Sequence, residues 1–428
     1  LSLSLSLSLS LSLSLSLSLS LSLSLSLSLS LSLSLSLSLA FRCCQMETQK
    51  LIVLPTILLL ITANMKEPMK DMVADAAASS NPLFPAMFVF GDSLLDPGNN
   101  VLLASASSAL PRFLSSPNHP PYGRDLPSHL PTGRYSNGLL LSDILARHMD
   151  LPYPPPYLSK KDNFTKGTSF AFGGAVIFNI RRKFQTPRID FYNEVSYFKD
   201  FQEELSTSMG EDGASELILK SLFLIWIGSN DYLVNYYSNP FGQGFAQKRY
   251  TAIEFRETLI SLYRQQIVRL YGMGARKFAL VSLPPIGCTP VILLLFSRSD
   301  STTCIDVVNE EVKNYNALLL KMSKELQGAY PSAQFTYLDA YDHSLKFIQD
   351  PKAFGFKDSL HPCCALGPYG GVPICSTSIN SICDDASQYV YWDFAHPTES
   401  AFSLAANWFL QGSPPDVQPF NLQQLSAL

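Results

Sequence analysis

Two stretches of the chain hold residues that could move a proton and make a bond. In Phe88-Val89-Phe90-Gly91-Asp92-Ser93-Leu94-Leu95-Asp96-Pro97-Gly98-Asn99-Asn100 an apolar run stops at Gly91-Asp92-Ser93. Trp392-Asp393-Phe394-Ala395-His396-Pro397-Thr398 carries one of only six histidines. A serine hydroxyl is a weak nucleophile until a base takes its proton, and His396 can be that base. Asp393 stands three residues earlier and can face it across one helical turn or a tight loop. There it would hold imidazole Nδ1, leave Nε2 free, and stabilise the imidazolium formed during attack. Each stretch also has a plainer reading on its own. A serine after a strand caps the next helix, and an Asp-His pair can close a helix cap. Asp92 reads as a structural residue that hydrogen-bonds the turn.

Acyl transfer through serine also needs donors for the developing oxyanion, each worth roughly a hundred- to a thousandfold in rate. The Ser93 N–H, at an expected helix start, is one candidate. Gly174, in Gly167-Thr168-Ser169-Phe170-Ala171-Phe172-Gly173-Gly174-Ala175, offers a backbone N–H where a side chain would block approach. Asn230, in Ile227-Gly228-Ser229-Asn230-Asp231-Tyr232, offers a side-chain amide. Gly, Asn and Asp are ordinary turn residues too, but together, in this order, these stretches point to catalysis.

The elements around them would have to bring them together. Strands are predicted at Met87–Phe90, Ser169–Phe172, Leu222–Ile227, Lys277–Ser282 and Gln334–Leu338, with Val390–Trp392 ahead of a final helix starting near Pro397-Thr398. Helices are predicted over Leu139–Met149, with Asn137 near its start, and over Ile253–Tyr271 and Ile305–Leu326. Short buried strands separated by helices imply the α/β class, a parallel sheet with helices on both faces. Such sheets bind ligands beyond the carboxyl ends of their strands. Gly91-Asp92-Ser93, Gly173-Gly174 and Gly228-Ser229-Asn230-Asp231 all fall there. The Pro-rich stretch Leu151–Tyr157 reads as a surface crossing, and no internal repeat or second domain is visible.

The 428-residue chain has a formal net charge of −4 and no basic block, which argues against a nucleic-acid partner. Residues 1–39 alternate Leu and Ser far beyond the length of a globular strand. Residues 1–45 are read as a low-complexity segment that is not genuine coding sequence, and Met46 as the start. The apolar run Leu51–Ala63 is shorter than the roughly 20 residues of a comfortable bilayer span. Small residues at A-x-A spacing gather at Ala74–Ala78, so residues 46–76 are read as a signal peptide and pro-segment, with no stable membrane span. Beyond them lie Cys288, Cys304, Cys363, Cys364, Cys375 and Cys383, an even set that suggests three disulfides with fifteen pairings open. There is no CxxC pair, and no metal or cofactor is expected. Asn163-Phe164-Thr165 is a glycosylation sequon.

These blocks together resemble the plant GDSL esterase/lipase family of the SGNH hydrolase superfamily. Residues 88–100 match its first block and nucleophile, 167–175 its second, 227–232 its third, and 392–399 its last. Residues 121–138 and 270–288 and the adjacent Cys363-Cys364 are also similar, so the likeness covers residues 84–425, read as the catalytic domain. The resemblance implies a single three-layer α/β/α, flavodoxin-like domain. It implies a Ser93–His396–Asp393 triad and an oxyanion hole of Ser93, Gly174 and Asn230. It also implies two-step hydrolysis of a carboxylic ester, of small-molecule, lipid or polysaccharide origin, by a protein secreted to the apoplast or cell wall. A transacylase on the same triad, or a catalytically silent binding protein on the same fold, are the alternatives. The missing G-x-S-x-G elbow counts against an ordinary α/β-hydrolase. One departure stands out. Ser169-Phe170-Ala171-Phe172 replaces the family's Asn-Phe-Ala-Ser, which implies a loop held differently or an acyl pocket narrowed by Phe172.

Overall fold

In this computed structural model the structure describes residues 82–106, 117–159, 164–180, 189–237, 246–297, 303–378 and 381–428. The Leu-Ser segment, the expected signal peptide and Asn163 lie outside the described residues.

Five apolar segments pair in parallel: β1 (Met87–Gly91), β2 (Gly167–Ser169), β3 (Leu222–Trp226), β4 (Lys277–Val281) and β5 (Gln334–Leu338). β6 (Cys364–Ala365) and β7 (Ser381–Ile382) form a separate two-stranded ribbon, and β8 (Val417–Gln418) lies antiparallel to β5. The main sheet runs β2-β1-β3-β4-β5-β8. Its parallel part has the doubly wound order in which strand order reverses beside β1, and ligands sit at that reversal. The expected parallel sheet is therefore present with one correction, an antiparallel edge strand too short to announce itself in the sequence.

Alternation along each strand builds two cores. Phe88, Phe223, Phe278 and Phe335 stand in register on one face, with neighbouring ring centroids 4.8–5.7 Å apart. Val89, Leu224 and Ala279 point to the other. Helices cover both. In chain order they are α1 (Asn99–Ala106), α2 (Leu141–His148), α3 (Phe191–Met209), α4 (Glu211–Lys220), α5 (Ala252–Gly272), α6 (Pro290–Phe296), α7 (Asp306–Ala329), α8 (Ala340–Gln349), α9 (Glu399–Gln411) and α10 (Leu422–Ser426). α3, α5 and α7 pack on the phenylalanine face; Thr251 caps α5, whose Phe255, Leu259, Tyr263 and Ile267 recur every fourth residue. α2, α9 and α10 pack on the other. The result is a three-layer α/β/α arrangement.

One local reading is corrected. The strand predicted at Ser169–Phe172 is Gly167–Ser169, although the N–H groups of Phe170 and Phe172 still donate to Val89 and Gly91 along β1. Asn137, near the start of α2 as read from the sequence, bonds to α9. Its Oδ1 accepts the Glu399 N–H (3.0 Å) at the start of α9, and the Glu399 carboxylate accepts the Leu139 N–H (2.9 Å) in return. The first turn of α9 is thereby stapled to the approach to α2. Leu151–Tyr157 runs beside β2, with Pro155 accepting the Ser169 N–H, and covers that sheet edge. The six cysteines pair as Cys288–Cys304, Cys363–Cys383 and Cys364–Cys375. No helix among the described residues is long and apolar enough to cross a membrane.

Candidate active site

Ser93 follows β1 at the point where strand order reverses. Asp92 shapes the turn: its N–H donates to Trp226 at the end of β3, and its Oδ1 accepts the Leu94 N–H (3.0 Å). That is the structural part expected of it. Asp96 holds more than sequence reasoning gave it. Its Oδ1 accepts the N–H of Gly98 (2.8 Å) and Asn99 (2.6 Å), and its Oδ2 those of Asn100 (3.1 Å) and Gly173 (2.9 Å). The Asn99 amide donates to the carbonyls of Ser169 (2.7 Å) and Ala171 (3.0 Å). The serine turn and the Gly173-Gly174 loop, more than 70 positions apart, are thus tied together by two side chains, Asp96 and Asn99.

The histidine segment is a tight loop rather than a helical turn. Tyr391 and Pro397 face each other in an antiparallel bridge, and the Trp392 N–H donates to the His396 carbonyl (2.7 Å). Asp393 Oδ1 accepts the N–H groups of Ala395 (3.0 Å) and His396 (2.9 Å), which fixes the loop. The same carboxylate meets His396 Nδ1 at 2.8 and 2.9 Å, and His396 Nε2 lies 2.8 Å from Ser93 Oγ. Ser93, His396 and Asp393 are brought together as expected. Two tyrosines that sequence reasoning missed flank them. The Tyr122 hydroxyl donates to Asp393 Oδ2 (2.7 Å). The Tyr135 ring lies 4.9 Å from the imidazole, and its hydroxyl accepts from Asn100 (2.9 Å). A side chain at Gly173 would strike that tyrosine.

Gly174 has φ +81°, open to glycine, and a Cβ there would meet nothing within 4 Å. Among the described residues no hydrogen bond takes the Ser93 or Gly174 N–H. Asn230 opens a π-helical turn, Asp231–Tyr236, and one of its amide N–H groups donates to Ala175 (3.1 Å). Asp231 accepts the N–H groups of Ile177 (2.8 Å) and Phe178 (3.0 Å) and so binds the end of β3 to the glycine loop. Ser93, His396, Gly174 and Asn230 line one cavity of about 380 Å³. Phe172 does not narrow it. That ring is fully buried on the other side of the loop, 5.8 Å from Tyr197. Ser169, in the asparagine's place, donates its hydroxyl to Leu95 (3.1 Å) and holds the loop from beneath.

Burial sets the charge of this region. It pushes the carboxyl of Asp92 up to about 7, only partly offset by the Leu94 N–H and His396, and that of Asp96 up to about 6 against its four N–H donors. Burial also raises Asp339 to about 6 and holds Glu194, beneath Gly91, well above the carboxylate range. Asp393 is buried as well, but His396 and its hydrogen bonds outweigh burial and hold it low. Raised carboxyls keep their protons when folded and lose them when unfolded. Their contribution therefore falls as the pH climbs from the unfolded carboxylate value of 3.8 toward about 7. Asp393 acts oppositely, losing its contribution only in stronger acid. Thermal unfolding at about pH 5 is expected several degrees above that at about pH 7.5; a midpoint rising across that window would contradict it.

Residues 87–409 match the GDSL-like lipase/acylhydrolase family. The chain belongs to that family. GDSL relatives cover most of it: the GDSL esterase/lipase LTL1 of Arabidopsis thaliana is 32% identical over 346 residues, 80% of this chain and 91% of the relative. The Arabidopsis thaliana GDSL esterase/lipase At3g50400 is 36% identical over 362 residues, 82% of this chain and 94% of its own. As a GDSL enzyme the chain is a carboxylic ester hydrolase, and its substrates are small-molecule or lipid esters.

Proposed function

We propose that this protein is a serine esterase that works through an acyl-enzyme on Ser93. Ser93 Oγ attacks the ester carbonyl while His396 Nε2 takes its proton, and Asp393 steadies the imidazolium. The oxyanion is held by the N–H groups of Ser93 and Gly174 and by the second amide N–H of Asn230. The alcohol leaves with the proton from His396. Water then attacks the acyl-enzyme, giving its proton back through His396, and the acid departs. The observation that carries this reading is the Ser93–His396–Asp393 chain of contacts, 2.8 Å at each step. A fluorophosphonate tests it. The reagent is expected to label Ser93 stoichiometrically and to stop hydrolysis of p-nitrophenyl esters; hydrolysis that survives full labelling, or label on another residue, sinks it. The reading extends to residues 84–425 as the catalytic domain and to an oxidising compartment outside the cytosol, supported by the three disulfides. Asn163 is its glycan acceptor.

Tyr122 serves in this scheme as a positioning residue. Burial and the Asp393 charge push its hydroxyl well up, so it remains a donor. Tyr122→Phe is expected to lower kcat about tenfold with KM little changed. The acid limb of kcat/KM should move to higher pH, because a carboxylate with one donor fewer holds the imidazolium more firmly. A profile that keeps its shape would reduce Tyr122 to packing.

A further inference from the structure

Residues 45–287 supply Ser93, Gly174 and Asn230 and hold no cysteine, whereas all three disulfides lie in the part of the chain that supplies Asp393 and His396. The division follows from how the two halves of the site are built. Ser93 leaves β1 and Asn230 follows β3, neighbouring strands fixed by ladder hydrogen bonds. The Asp393–His396 loop has no such strand before it. Over residues 350–398, between α8 and α9, the described residues form no helix longer than Pro351–Phe354 and no strand longer than two residues. A stretch of this kind gains little helix or ladder bonding against the entropy lost in fixing it. Cross-links lessen that loss by restricting the unfolded chain.

Two of these cross-links act directly on the catalytic loop. The Cys363 N–H donates to the Tyr391 carbonyl (3.0 Å) and the Cys364 N–H to that of Trp392 (2.7 Å), so two adjacent cysteines hold the two residues before Asp393. Cys363 is bonded to Cys383, whose N–H donates back to the Cys363 carbonyl (2.9 Å), and Cys364 is bonded to Cys375. Arg124 Nη1 donates to the Cys383 carbonyl (2.6 Å), and its guanidinium lies 5.2 Å from the Trp392 ring. The ribbon is thereby joined to the segment from which Tyr122 reaches Asp393. Trp392 is fully buried in one cluster with Tyr122, Cys363, Cys364 and Cys375. We infer that the Cys363–Cys383 and Cys364–Cys375 bonds are positioning elements of the triad: through the backbone of Tyr391 and Trp392 they set Asp393 and His396 against Ser93, and ester hydrolysis becomes available only once both have closed. The inference rests on Ser93, His396 and Asp393 as the catalytic set. With either bond open, Asp393 sits less squarely on Nδ1 and the base drifts from Ser93 Oγ. A misplacement of about 1 Å costs about a hundredfold in rate. Ser93, Gly174 and Asn230 keep their places, because nothing that holds them is a disulfide.

The test compares the parent with Cys363→Ala/Cys383→Ala and Cys364→Ala/Cys375→Ala on p-nitrophenyl acetate, with circular dichroism to show which variants fold. Either variant is expected to lose about a hundredfold in kcat. The acid limb of kcat/KM should move down by about one pH unit, because a carboxylate held less firmly against Nδ1 stabilises the imidazolium less. Bonds that merely stabilise the fold would lower the melting temperature and leave both readings alone. A folded variant with the parent's kcat and acid limb therefore overturns the inference. Reduction of the parent needs no variant to fold. Dithiothreitol converts each bond to two thiols and closes to its own cyclic disulfide. At low temperature, activity should fall as alkylation and mass spectrometry report either bond open, ahead of any change in the far-ultraviolet signal, and should return on reoxidation. Activity that survives the opening of these bonds, or is lost only together with that signal, overturns the inference and leaves the Ser93 chemistry standing. An oxidised parent no faster than Ser93→Ala overturns the triad as well.

Discussion

Ser93→Ala is expected to lose about five to six orders of magnitude in kcat on p-nitrophenyl butyrate, and His396→Ala about as much. The double variant should be no worse than either single one. The base and the nucleophile act as a unit, so once either is gone the other has nothing to do. What remains comes from the oxyanion donors and from binding. The folded state should tolerate Ser93→Ala well, because the hydroxyl borders an open cavity and its contact with His396 is one hydrogen bond. Active-site titration beside the kinetics separates slow enzyme from little enzyme. Comparable rates in parent and Ser93→Ala would dismantle the triad, and losses that add in the double variant would mean that the two residues act in different steps.

Asp96→Ala is expected to be the most damaging single change away from the triad. It removes the acceptor of four N–H groups, on Gly98, Asn99, Asn100 and Gly173. A buried donor left without a partner costs about 1–3 kcal/mol, and relaxation lets water reach some of them, so about 3–5 kcal/mol of stability should be lost. Activity should fall beyond what stability explains, since Gly173 precedes the oxyanion glycine and Asp96 holds it against the serine turn. Asp96→Asn keeps one oxygen as an acceptor and should lie between the two. Urea unfolding and kcat on the acetate ester, measured below the unfolding transition, check both halves. An Asp96→Ala protein of parental stability and rate would mean the loop is held by Asn99 and Ser169 alone.

Much of this was legible because it is local. β5 is found where the sequence placed it, and β1, β3 and β4 within a residue, since each is a continuous apolar run between polar or turn residues. α5 and α7 have clean helical period. α3 escaped because Phe191, Val195, Phe198 and Phe201 sit among other aromatics and blur it, and α4 because it buries only Ala214 and Ile218. Ser93, Asp393, His396, Gly174 and Asn230 were singled out from residue type and spacing, and the structure sets Ser93, Gly174, Asn230 and His396 around one cavity with Asp393 behind the imidazole. Asp96 carried a faint signal, an Asp three residues ahead of Asn99 at a helix start, where such residues cap. Tyr122 carried none, because its partner is 271 positions away.

The distance along the chain between Ser93 and His396 is 303 positions. Ser93 comes with the first strand, while His396 waits for the loop that leads into α9. A chain released early, or cut before that loop is secured, carries a serine with no base. With Ser93 and His396 acting together as proposed, turnover becomes a readout of complete assembly, and regained activity after denaturation is expected to report closure of the two ends rather than formation of either half.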